Sequence, residues 1–327
     1  MATTLSSDLV LDNELVRLGI VETLEQNVDG FNASSNGTIT LGSQALENEF
    51  ADESFIQALA GSTLVQHRDY TDGTTQITPA KLAEDIVNSV KLSRRYGPFS
   101  TTYDAWNRSN RSVDTFSLAV GRQLGVAIGA NMLNSVLSAG IGAIQATQAA
   151  VTDGTAAFDY TNIVDGLATM GDKAGRVRML VMHSNTYFAT VDKGLSMNAL
   201  ENVGGMTIRE GGAYSMGLPV LVTDSAALDF AGDQSIYSVL GLTDMALSAI
   251  ESDETIMKAQ DVLLGENIQR VIQGEGAFNV GVKGCKYDTS AGANPTDAVL
   301  AAAANWDYQF ADVKSGAGFL LKIKARA

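Results

Sequence analysis

The sequence predicts an α+β subunit organised around one very long helix. Three observations carry this expectation. Apolar residues recur at every fourth position from Phe116 to Val136, inside a stretch (115–150) with no proline. Helix-like and strand-like apolar runs alternate over residues 155–260. Extended, alternating runs flank both, over 62–103 and 261–285.

Composition sets the outer bounds. The chain has 327 residues, with 45 % hydrophobic and only 18 % charged, so enough apolar surface exists to pack. Thirty-seven acidic residues against 22 basic ones give a net charge of −15. That balance argues against a broad nucleic-acid grip, which needs clustered Lys and Arg. A single cysteine, Cys285, excludes an intramolecular disulfide and a four-thiolate zinc site, and fits a reducing cytosol. Two histidines, His67 and His183, exclude a His-rich metal centre. The first residues carry no early positive charge and no long apolar core, so no signal peptide is expected. Four Asn-X-Ser/Thr triplets, at Asn32, Asn36, Asn107 and Asn110, are then chance matches.

Residues 1–60 hold ten acidic residues and one basic one, a local −9. Leu9, Val10, Leu15, Val16 and Leu18 predict a helix over 8–26, which DGFNASSNGT should break. Its apolar stripe is too narrow for a core of its own, so this arm needs a partner surface. STLVQHRDY and DGTTQITP predict strand, turn and strand, and Pro79 opens a short helix. SVKLSRRYGPFSTTYDAW is an extended run. Residues 81–111 hold six basic against three acidic residues, a local +3.

The long helix begins with Asp114 as N-cap. Its row Phe116, Val120, Leu124, Ile128, Met132, Val136 overshoots a full turn by about 40° per step. The row therefore winds round the helix, and several neighbours must cover it. Arg122, Gln123, Asn131 and Asn134 interrupt it too early for a membrane span. Gly121, Gly125 and Gly129 form a small-xxx-small row, which predicts close approach of another backbone. FDYTNIVDGLATMGDKAG is a helix ending at glycine, and Arg178–Met182 a buried strand before a further helix. GLPVLVTDSA and QSIYSVLGLTDMALSAI are strands. Residues 261–285 form two long antiparallel strands, and GFLLKIKAR is a C-terminal strand.

Catalytic signatures are weak. No phosphate-binding glycine motif follows a strand. Ala213-Tyr-Ser215-Met-Gly217 lacks the first glycine of a nucleophile elbow. Ser215 would need His67 or His183 as base. Cys285 in a strand context is a small core hydrophobe. Asp69, Asp72, Asp253 and Glu254 lack calcium-loop spacing and fit solvated turns. No catalytic, cofactor or metal site is expected.

VETLEQNVDGFNASSNGTI, VKLSRRYGPFSTTYDAW, LVMHSNTYF and EGAFNVGVKGCKYD…GANPTDAVLAAAANWD, in this order, resemble the major capsid proteins of tailed bacteriophages over nearly the whole chain. The resemblance implies the tailed-phage major capsid fold: N-terminal arm at 1–60, extended loop hairpin at 61–98, and axial domain at 155–260. The peripheral domain with the spine helix would be 99–154 and 261–327. It implies a structural subunit that self-assembles into hexamers and pentamers around double-stranded DNA. Its partners would be other copies, a separate scaffolding protein, a portal and decoration proteins. DNA would be packaged without sequence-specific binding, and no membrane is involved. The implied location is the virion capsid, assembled in the host cytoplasm. No residue pair for a Lys–Asn crosslink can be assigned. A cellular compartment shell of the same fold is the alternative, and a hydrolase using Ser215 and His183 a third reading. Finally, the lopsided charge places Arg94 and Arg95 as candidate contacts to Glu49, Asp52 or Glu53 of an adjacent subunit.

Overall fold

The computed structural model describes residues 13–35, 37–43, 50–56, 67–68, 70–71, 76, 84–102, 113–147, 151–201, 217–229, 236–263, 266, 268–310 and 312–324. The arm helix α1 spans Asn13–Ser34 and leads into β1 (Ile39–Ser43). It outruns the expected stop in DGFNASSNGT because that segment is tied down by tertiary contacts. The Asn32 amide donates to Leu41 O and accepts from Leu41 N (2.7 and 2.9 Å). Phe31 packs on the core. The break comes instead at Ser35–Thr38, where Ser35 Oγ donates to Asn32 O and Ile39 O.

β2 (Phe50–Ile56) and β3 (Glu84–Thr102) follow, then the spine helix α2 (Val113–Ala146). Asp114 therefore lies inside the first turn of α2 rather than ahead of it. The expected helix at Pro79 falls outside the described residues, as does most of the expected hairpin over 62–79. At 1.5 Å per residue the 34-residue spine is about 50 Å long. Leu124, Ile128, Met132 and Val136 are all buried, and so is every residue from Ser135 to Ile144. An all-round apolar helix must be enclosed by several elements. Here α1, the long strands, and the short α5 (Asp297–Leu300) surround it. By length and composition α2 could cross a membrane, but most of its apolar window is buried inside the fold.

The long strands form a five-stranded sheet in the order β1-β8-β9-β3-β2, with β8 at Leu247–Val262 and β9 at Gln269–Val282. β1 joins β8 in parallel and the other pairs are antiparallel. Two expectations change. The first of the two strands expected within 261–285 begins at Leu247, so the boundary expected at 260 falls inside a strand. In addition, β3 is not a free hairpin from Glu84 onward, because β9 pairs it from Val90 to Thr102.

A second five-stranded sheet has the order β4-β12-β7-β5-β6. Its strands are β4 (Val151–Ala157), β5 (Val177–Met182), β6 (Val220–Val222), β7 (Ile236–Thr243) and β12 (Gly318–Lys324). β5 and β6 are parallel across the helix α4 (Ser184–Glu201), as a strand–helix–strand unit requires. β5 is covered on both faces. Met179 and Val181 enter the core shared with the spine, whereas Leu180 and Met182 pack under α3 (Tyr160–Met170) and α4. The C-terminal strand, expected beside the long strands, instead pairs with β7 and β4 in this second sheet. A small ribbon of β10 (Cys285–Tyr287) and β11 (Trp306–Tyr308) completes the fold.

Candidate assembly surfaces

The glycine row lies where another backbone approaches. A Cβ on Gly121 would sit 2.4 Å from Val16 O, and one on Gly125 3.0 Å from Thr23 Cβ and 3.2 Å from Ile20 O. The facing residue on α1 is Gly19, whose own Cβ would meet Leu118 O at 3.2 Å. The arm helix thus finds its partner surface on the chain's own spine. Gly129 differs: its nearest contact would be Leu24 Cδ2 at 3.9 Å, ordinary packing.

Arg94 corrects the charge argument. Side chains alternate along a strand. Leu92 and Arg94 share the face of β3 turned toward the spine, while Ser93 and Arg95 are exposed on the other. Arg94 Nε donates to Asn131 Oδ1 at 2.9 Å, and Nη2 donates to Ser135 Oγ at 3.0 Å and Asp297 Oδ1 at 3.2 Å. Ser135 Oγ in turn donates to Asp297 Oδ1 at 2.7 Å. The guanidinium also lies over the Phe278 ring. Arg94 therefore ties β3, the spine and α5 together within one subunit and is not available to a neighbour's carboxylate. The sequence displays its charge but not Asp297, two hundred residues away. The signal that could have found Asp297 is its place in the first turn after Pro295-Thr296, where an acidic residue suits a helix start.

Arg95 remains exposed, as do Asp52 and Glu53 on the edge strand β2. Asp52 stands opposite Asn88 and Glu53 opposite Val87, six or more residues up the strand from Arg94. Within one chain these carboxylates and Arg94 do not meet. Glu49 lies outside the described residues.

The remaining chemistry-bearing residues do not converge. Cys285 is buried, and burial pushes its thiol pKa up to about 12, so no thiolate exists near neutral pH. The His183 ring stacks on Tyr237 (centroids 4.5 Å apart), accepts from Asn185 N at Nδ1, and sets Nε2 3.6 Å from Asp224. That is a partnered strand-end histidine. Ser215 lies outside the described residues, and His67 is exposed. Among the described residues no group of three His, Cys, Asp or Glu could hold a metal ion.

This architecture has known counterparts. Over 89 % of its length the chain superposes on 90 % of a chain from Microbacterium phage Oxtober96, with TM-score 0.56 and 12 % identity. The cyanophage Pam1 capsid asymmetric unit matches with TM-score 0.52 and 10 % identity, covering 88 % of each chain. Mycobacterium phage Cain gives TM-score 0.51 at 12 % identity, covering 87 % of this chain and 88 % of that one. At such identities the likeness establishes the fold. No curated protein matches by sequence. A family match decides the rest: residues 8–320 fit the Gp13-like family, described as major capsid protein 13-like. With that match over almost its whole length, the chain belongs to the Gp13-like family of phage major capsid proteins.

Proposed function

We propose that this chain is the structural subunit of an icosahedral shell, assembling as hexamers and pentamers around double-stranded DNA. The observation that carries this reading is the family match from residue 8 to residue 320. The long strands and the spine support it, because a subunit built on elements of about 50 Å offers many edges to its copies. A closed shell needs such heterologous contacts from one chain. The role is structural rather than catalytic. Assembly takes place in the host cytoplasm, helped by a separate scaffolding protein and completed with a portal and decoration proteins. The net charge of −15 keeps the inner wall from adhering to the genome.

Strand pairing suggests a division that differs from the sequence boundaries. The described residues within 84–147 and 247–310 make up the peripheral part with the arm on its spine, and those within 151–245 with 312–324 the axial part. The test of the whole reading is the content of purified particles. A capsid yields particles filled with double-stranded DNA, whereas protein cargo without a genome would favour a cellular compartment.

A further inference from the structure

A cleft of about 340 Å³ opens where the two sheets meet. Its walls come from four separate places: the turn before β5 and its start (Arg176, Arg178), the end of β7 (Thr243, Asp244), the turn after β9 (Lys283), and the turn before β12 (Lys314). Four cations thus face one carboxylate of the lining. Lys283 Nζ donates to the Asp244 carbonyl oxygen at 2.6 Å, and Lys314 Nζ pairs with Asp172 at 2.7 Å. Arg176 and Arg178 are exposed, and neither guanidinium makes a hydrogen bond or ion pair among the described residues. The Lys283 ammonium is pushed below its usual pKa, first by burial and then by the nearby Arg176, against the pull of Asp244. The cleft therefore carries more positive charge than the chain itself neutralises.

We propose that this cleft binds a carboxylate of a second copy of this chain, with Glu53, on the outward face of the exposed edge strand β2, as the docking group. The proposal rests on the capsid reading for the presence of many copies. Charge complementarity selects the occupant. The chain is strongly acidic, so copies repel unless cationic sites meet acidic ones. Guanidinium forks match carboxylates in a bidentate manner. A duplex phosphate backbone suits the site less well. Exposed Asp172 pairs with the lining residue Lys314 and exposed Asp312 pairs with nearby Lys173, and both carboxylates would face that backbone with like charge. A single carboxylate side chain on a strand edge can enter between them, whereas a duplex would present a row of phosphates across both. Every copy presents both the cleft and the strand, so the contact can repeat from subunit to subunit around a closed ring. It would also bridge the two sheets of the receiving subunit, because the cleft draws its cations from both. This replaces the contact expected of Arg94, which is engaged at home.

Two measurements on the full chain test it. The first follows a labelled peptide of residues 44–56 by fluorescence anisotropy. Arg176→Glu with Arg178→Glu should weaken its binding by about tenfold or more, the loss expected for two exposed charge pairs. Binding should also fade between about 0.1 M and about 1 M salt, as the screening length drops from about 10 Å to about 3 Å. Both arginines are exposed, so circular dichroism should be unchanged. The second measurement is particle yield. The double reversal should reduce it, and adding Glu53→Arg should restore it. Equal peptide binding by wild type and variant overturns the proposal, as does normal particle yield from the double reversal. Displacement of the peptide by a short DNA duplex at lower concentration than by unlabelled peptide overturns it in favour of a nucleic-acid site. The peptide assay needs no particle, so a chain that never assembles would refute the capsid reading while leaving the cleft decided by anisotropy.

Discussion

Alanine at each of the three spine glycines should give a graded response, because the three face different surroundings. Glycine to alanine inside a helix gains about 1 kcal/mol from backbone propensity alone. At Gly129 the new methyl would rest 3.9 Å from Leu24 Cδ2, so that gain is kept and Gly129→Ala stabilises by about 1 kcal/mol. At Gly125 the methyl would meet Thr23 Cβ at 3.0 Å and Ile20 O at 3.2 Å, a tight fit that small shifts of α1 relieve. An overpacking cost near the low end, about 1 kcal/mol, offsets the propensity gain and leaves Gly125→Ala close to neutral. At Gly121 the methyl would lie 2.4 Å from Val16 O, a backbone atom that moves only with the whole helix. A cost of about 3 kcal/mol against a gain of about 1 makes Gly121→Ala destabilising by about 2 kcal/mol. The spread from Gly129 to Gly121 is then about 3 kcal/mol. Urea unfolding of the unassembled subunit, followed by far-ultraviolet circular dichroism, reads it directly. Three variants within about 0.5 kcal/mol of one another would refute close packing of α1 on the spine, since that is the scatter of surface substitutions.

Arg94→Ala should destabilise the unassembled subunit by about 2 kcal/mol in the same assay, because Asp297 keeps its charge beside the spine and loses its cation. Arg94→Lys should recover only part of this, since an ammonium cannot serve Asn131, Ser135 and Asp297 together. Cys285 should resist a thiol reagent in the native subunit at pH 8 and react quickly after denaturation, and mature particles should run as monomers on non-reducing gels. Its folded pKa, raised from 9.0 to about 12, also sets a pH dependence. The unfolded chain loses this proton first, so the contribution is fully present below pH 9 and is lost as pH rises from 9 toward 12. A urea midpoint that climbs over that window would contradict the burial of Cys285. Gly125→Leu should impair folding or particle yield, since a branched side chain has no room beside Thr23.

The spine was legible because its cause is local. An unbroken apolar row such as Leu124, Ile128, Met132 and Val136, with glycines at four-residue spacing, specifies both a helix and its close neighbour. The strand Val177–Met182 was legible for the same reason, as a short apolar run before a helix. What could not be read locally is which sheet a strand joins. Gly318–Lys324 alternates as well as any long strand, yet its partner is β7, decided by Phe319, Leu321 and Ile323 fitting under α3 and α4. The length of α1 was hidden because Asn32 and Ser35, turn formers by propensity, serve β1 instead. The role of Arg94 was hidden because a charge pattern does not reveal which face of a strand is covered. The basic cleft leaves no local mark in the sequence because its cations are scattered from Arg176 to Lys314 and never form a run.

The central claim is that this chain builds a closed shell from copies of itself. Cryo-electron microscopy of particles assembled from the full chain tests it most directly. The account predicts icosahedral shells in which subunits surround five-fold and six-fold positions, each with a spine of about 50 Å carrying the arm helix on Gly121 and Gly125. A chain that stays monomeric with its scaffolding partner present, or that forms only open filaments, would contradict it.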